Sequence, residues 1–231
     1  MPTEHKYGSD WVKTANAGGY YSSGDDPAQL TWFDEELATL VDTATQPGLP
    51  VAVHTGAAQA CTQAIRAGVQ PGTRLPDRRR GHRNGRAGRH LRCTDDADDR
   101  EDLEALHQGT LPEQAVGKFR RDHEQIQAAQ RRVAASSVKI AYGIDCGMFA
   151  FSQGINEFRA MTAAGISPVR ALKAATSVAA ELLGRDDLGV QEAGRCADLV
   201  AMPGDPTTDI TATTRVDVVM ARGHIHHHRR W

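Results

Sequence analysis

Along the first 69 residues, short apolar runs alternate with stretches whose apolar positions fall three and four apart. DWVKTAN reads as a strand running into a Gly-rich loop, AGGYYSSGDDP. FDEELATLVDTATQPG places its apolar residues on one helical face and stops at Pro and Gly. LPVAVHTG then reads as a short buried strand, and AAQACTQAIRAGV as a second amphipathic helix. Strand, loop, helix, strand, helix with connections this brief is the order expected of a parallel sheet covered by helices.

Residues 70 to 102 break this pattern. Beyond them LPEQAVGKFRRDHEQIQAAQRRVAAS predicts a long polar-faced helix, and VKIAYGIDCG a buried strand ending in a loop. INEFRAMTAAG and SPVRALKAATSVAAELLG predict two more helices, the second with Ser167 as its cap and Pro168 at its first position. From Gly189 onward GRCADLVAMPGDP and VDVVMARGHIHHHRRW are short β-type runs punctuated by Gly and Pro. The expected organisation is therefore an α/β body over 1–188 and a small β extension over 189–231.

Composition narrows the partners. Lys and Arg number 27 against 29 Asp and Glu, a formal charge of -2, so no overall field draws the chain to nucleic acid or an anionic membrane. The cysteines, Cys61, Cys93, Cys146 and Cys196, lack C-x-x-C spacing, which argues against a disulfide framework and a zinc knuckle and for a reducing compartment. No apolar run approaches the roughly 20 residues of a membrane span. The polar start MPTEHKYGSD has no signal-peptide core, so a soluble, cytoplasmic protein without a membrane partner is expected.

Three residues lie at or just past the carboxyl ends of predicted strands, where a parallel α/β barrel keeps its reactive groups: Lys13, His54 and Asp145. A lysine among apolar neighbours is pushed toward its neutral form, and a neutral amine can take up carbon dioxide as a carbamate, an anion able to bridge two cations. His54 offers an imidazole to a metal, and Asp145 offers a ligand or a general base. Singly, each has an ordinary reading: a snorkelling lysine, a core histidine, a helix-capping aspartate.

Together with their surroundings they resemble the metal-dependent amidohydrolase superfamily, in its imidazolonepropionase-like and Xaa-Pro dipeptidase-like branch. The likeness is carried by DWVKTANAGGYYSSGDDP, LPVAVHTG, VKIAYGIDCG and, most specifically, ALKAATSVAAELLGRDDLGVQEAGRCADLVAMPGDP. The resemblance implies a TIM-type (β/α)8 barrel with one or two divalent metals, usually zinc, at its mouth. Lys13 would be the carboxylated bridging ligand after the fourth strand and His54 a ligand after the fifth. Asp145, after the eighth, would ligate the metal and carry a proton from metal-bound water to the leaving nitrogen. The loop with Gly19, Tyr20 and Ser22, beside Lys13, would be a substrate wall, with an ordinary Gly-rich turn as its plain alternative. The implied substrate is a small amide, cyclic amide or dipeptide.

Two elements of that family are missing from the sequence. The H-x-H pair of the first strand is absent, so the chain reads as N-terminally truncated, a partial barrel holding strands 4 to 8. Where a sixth strand should end in a metal-binding histidine, the sequence has QPGTRLPDRRR, and His82 and His90 lie in no strand pattern. The expected activity is correspondingly impaired, with a non-catalytic relative or partner-dependent scaffold as the competing class. An open barrel would expose strand edges that a homo-oligomer or another chain must cover.

That gap holds RLPDRRRGHRNGRAGRHLRC, in which eight of twenty residues are arginine. As a nucleic-acid arm it has charge but no aromatic residue for stacking and no helix for docking. As a solvated or disordered linker its composition is acceptable. The preferred reading is coding sequence translated out of register, because GC-rich DNA yields Arg, Gly, Pro and Ala in a wrong frame. The histidines of HIHHHRRW, His224, His226, His227 and His228, read as a basic, frayed terminus able to hold a metal only adventitiously.

Overall fold

The computed structural model of the chain describes residues 8–69, 91–93, 96–144 and 150–228. It divides into two units, one of Met1–His90 with Ala105–Ile126 and one of Leu91–Glu104 with Gln127–Trp231.

In the first unit, strand β1 (Val12–Ala15) and strand β2 (Val51–His54) pair in parallel, with Val12 opposite Val51 and Ala15 opposite His54. Helix α1 (Asp34–Thr45) makes the crossover between them. Its first turn carries Asp34, Glu35 and Glu36, whose charge suits a helix amino terminus, and the Phe33 N–H donates to Glu36 Oε2 at 2.9 Å. It ends where Gly48 takes a φ of 82° and the Leu49 N–H returns to the Ala44 carbonyl. Val41 and Ala44 pack with Leu49, Val51, Val12 and Val53, so alternate residues of both strands face the helix layer. Helix α2 (Ala58–Arg66) follows β2 and buries Ala60 and Ala64.

Helix α3 (Asp96–Gln108) precedes helix α4 (Glu113–Ala135). Within the first unit, α4 contributes Ala115 and Phe119 to a cluster with Leu111, Tyr20 and Tyr21.

The second unit holds a further parallel pair, strand β3 (Leu91–Cys93) beside strand β4 (Lys139–Ala141), with Arg92 opposite Ile140. The hydropathy pattern predicts no strand within residues 70 to 102, so β3 corrects that reading: its alternation is too short, and its middle residue is arginine. After β4 come a 3-10 turn (Phe151–Asn156) and helix α5 (Glu157–Ala163). The predicted helix from Pro168 is two helices, α6 (Pro168–Ala175) and α7 (Ser177–Leu182).

The break lies at Thr176, with φ -125° and ψ -95°. Two tertiary contacts hold it: the Ala174 carbonyl accepts from the Tyr142 N–H at 3.1 Å, and Gly189 approaches so closely that a β-carbon would stand 2.8 Å from the Thr176 carbonyl oxygen. Ser167 caps α6 as expected, accepting from the Arg170 N–H at 3.3 Å. Ile140, Phe158, Met161, Ile166 and Ala174 form the core of this unit.

The tail forms an antiparallel sheet of strands β5 (Leu199–Ala201), β6 (Val218–Ala221) and β7 (His224–His228). The histidine run up to His228 is thus a paired strand rather than a frayed end. The chain is α/β, and among the described residues the parallel strands occur as two pairs with no closed barrel.

Candidate active site

Strand alternation fixes which side chains share a face. Val12, Val51 and Val53 join the core beneath α1, so Lys13, Ala15, Ala52 and His54 occupy the opposite face of the β1–β2 pair. His54 ends β2 and lies opposite Ala15, the next residue on that face after Lys13, so Lys13 and His54 are diagonal neighbours; Lys13, expected at the carboxyl end of its strand, is instead the second of the four residues of β1 and pairs with Ala52. Both are exposed. Asp145 lies outside the described residues. Among the described residues no three His, Cys, Asp or Glu side chains converge on a point that would hold a metal.

Behind that face the strand ends are locked by a polar network. The Asn16 N–H donates to the His54 carbonyl at 3.2 Å, continuing the ladder. Asn16 is fully buried and its Nδ2 donates to the Ala60 carbonyl of α2 at 2.7 Å. Trp32 Nε1 donates to the Ala15 carbonyl at 2.7 Å, and Gln63 Nε2 to the Trp32 carbonyl at 2.8 Å and to Asp34 Oδ1 at 2.9 Å. The carboxyl end of β1 is thereby tied both to the segment before α1 and to α2. A cavity of about 730 Å³ runs along β1 and α1, lined by Val12, Lys13, Glu35, Glu36, Thr39, Leu40, Thr43 and Ala44.

The loop after β1 is held by α4. Lys118 Nζ donates to the carbonyls of Gly19 at 2.8 Å and Ser22 at 2.6 Å. The Tyr20 ring lies 4.4 Å from that of Phe119, and its hydroxyl donates to Asp122 Oδ2 at 3.2 Å. Ser22 Oγ donates to Asp25 Oδ2 at 2.7 Å, and that hydrogen bond holds the Asp25 carboxyl below its ordinary value.

Arg121 forks onto Asp26 at 2.7 and 3.0 Å and also reaches Asp122. Its hydrogen bonds lower the Asp26 carboxyl, helped by the Ala28 N–H. The sequence predicts for α4 only a polar face. Within that face Lys118 and Arg121, one helical turn apart, meet the Asp25-Asp26 pair, a complementarity of charge visible in the sequence.

With this geometry in place the chain can be set beside known proteins. It matches the amidohydrolase family over residues 3–226, and it belongs to that family. No curated protein matches it. Among solved structures, a Xaa-Pro dipeptidase with methionine in its active site is 28% identical, with a TM-score of 0.82 over 96% of this chain and 56% of that one. A prolidase described as putative from Bifidobacterium longum is 23% identical, with a TM-score of 0.76 over 99% of this chain and 59% of that one. The A. niger ochratoxinase is 22% identical, with a TM-score of 0.77 over 97% and 52%. The chain thus spans somewhat more than half the length of these relatives, and the latter two support the fold alone.

Proposed function

We propose that the chain carries part of the barrel and the site of a hydrolase that cleaves a carbon–nitrogen bond in a small amide or dipeptide. The observation that carries this reading is the placement of Lys13 and His54. In a chain of the amidohydrolase family, a lysine within one strand and a histidine at the carboxyl end of the next share one face of a register-paired parallel pair. The likeness to a Xaa-Pro dipeptidase favours dipeptides among the substrates.

Lys13 and His54 fit a divalent metal by donor chemistry and by shared face, with Asp145 as the third member of the set. Zinc, when bound, would acidify a water and polarise the scissile carbonyl. His54 would present a neutral ring nitrogen and Lys13, as a carbamate, an oxygen, while Asp145 would take up and return the proton. The Gly19, Tyr20 and Ser22 loop, held by Lys118 and Phe119, would present a rigid wall to the substrate. Three donors are the least that a catalytic zinc takes, so occupancy and turnover in this chain are expected to be low. Division of the chain at residue 188, a cytoplasmic location and self-association belong to the same proposal.

The test is hydrolysis of a panel of Xaa-Pro and other dipeptides by the full chain with zinc supplied. Weak, zinc-dependent release of amino acid that is lost in His54→Ala supports the proposal. Turnover unchanged by that substitution, or none at any zinc concentration, overturns the enzyme reading in favour of a non-catalytic relative.

A further inference from the structure

The C-terminal sheet holds a second group of metal-ligating side chains, and its register selects two of them. β6 and β7 are joined by Arg222 and Gly223, with φ values of 50° and 78°. Two positive values in a two-residue loop define the tight hairpin whose twist matches paired strands. The loop is held in place: the Arg222 N–H donates to Asp198 Oδ1 at 2.7 Å and the Gly223 N–H to the Ala197 carbonyl at 3.0 Å. The hairpin therefore fixes Ala221 opposite His224 and Met220 opposite Ile225.

The pairing then slips by one residue. Val219 faces His227 and Val218 faces His228, so His226 is an extra residue without a cross-strand partner. In a regular strand His224, His226 and His228 would share a face. The bulge changes that pattern. Residues directly opposite in an antiparallel pair lie on one face, and Val219 and Ala221 share a face of β6. His224 and His227 consequently share that face as well, while His228 lies on the other with Val218, Met220 and Ile225. Their partners are two residues apart on β6, a spacing of about 7 Å. Two imidazoles at that spacing can turn toward one ion held at about 2 Å from each nitrogen. Every residue of β7 is exposed, so neither ring must leave a packed position to do so.

We propose that His224 and His227 form a two-histidine site for a borderline divalent transition ion such as nickel, copper or zinc. Water completes the shell, because no third His, Cys, Asp or Glu among the described residues converges there. Imidazole pairs bind such ions in the order copper over nickel over zinc, and protons compete for the same nitrogens. The site does not depend on Lys13, His54 or any catalytic role for the chain.

The experiment is calorimetric titration of nickel into the full chain, in a His54→Ala background so that the first site is not counted. One saturable site is expected, weakened about tenfold or more by His224→Ala or His227→Ala but changed no more than about twofold by His228→Ala. Absence of saturable binding, or an equal loss in all three variants as an unstructured histidine run would give, overturns the proposal. All three side chains are exposed, and circular dichroism checks that each variant keeps its fold.

Discussion

At Gly18 the chain turns so tightly that a β-carbon would stand 2.3 Å from the Asp26 carbonyl oxygen. Backbone, not a movable side chain, occupies that space, so Gly18→Ala must open the loop that carries Gly19, Tyr20 and Ser22. The expected cost is about 1–3 kcal/mol, read as a shift in the urea midpoint at unchanged slope. A midpoint that does not move contradicts the close approach.

Eight residues on from Gly18, the Asp26 carboxyl is held below its ordinary value by hydrogen bonds from Arg121. A carboxyl lowered in the folded chain favours folding at pH above its unfolded value, and that contribution fades as the pH falls through the folded value. Arg121→Met should raise the Asp26 midpoint toward the ordinary carboxylate range in a carbon-detected NMR titration; an unmoved midpoint would place the cause elsewhere. Lys13 and His54 were legible as candidates because each stands at the end of a short apolar run. Their shared face was not, because it depends on the register between β1 and β2, which no single strand encodes. The partner of Asp26 was also out of reach, since Arg121 of α4 lies 95 positions along the chain from it.

At the scale of elements, periodicity located β1, α1, β2, α2, α4 and β4, each of which has a clear apolar stripe or run. It did not find the interruption at Thr176, where helical propensity yields to the hydrogen bond from Tyr142 and the approach of Gly189. It placed β-type runs in the tail but took the histidines of β7 for a frayed end, because they lack the apolar alternation of a strand and are ordered by the Arg222-Gly223 hairpin.

β3 is the most informative miss. Leu91–Cys93, at the end of the arginine-rich stretch, pairs with β4 although the local sequence has little strand character. Permitted codons for residues 72 to 95, read one base later, give APAYLTDDGAIAMAERGVIYVVP, a helical pattern followed by an apolar strand. We propose that this stretch is translated out of register. Resequencing the gene across this stretch and its flanks should reveal compensating one-base errors before residue 72 and near Asp102 to His107; a single clean frame contradicts the proposal.

For the whole molecule, family membership and fold agree, while the chain covers 56% of the Xaa-Pro dipeptidase it resembles. Among the described residues no helix is long and apolar enough to cross a membrane. The central claim is the proposal that Lys13 and His54 act on one ion; what supports it is the face they share across the β1–β2 pair. An equilibrium zinc titration of Lys13→Ala, His54→Ala and the double variant tests this most directly, with His224 and His227 replaced by Ala throughout to remove the outer site. If one ion takes both ligands, the two losses are non-additive, and the double variant binds about as poorly as either single one. Losses that add independently, or zinc binding unchanged by either substitution, would contradict the claim.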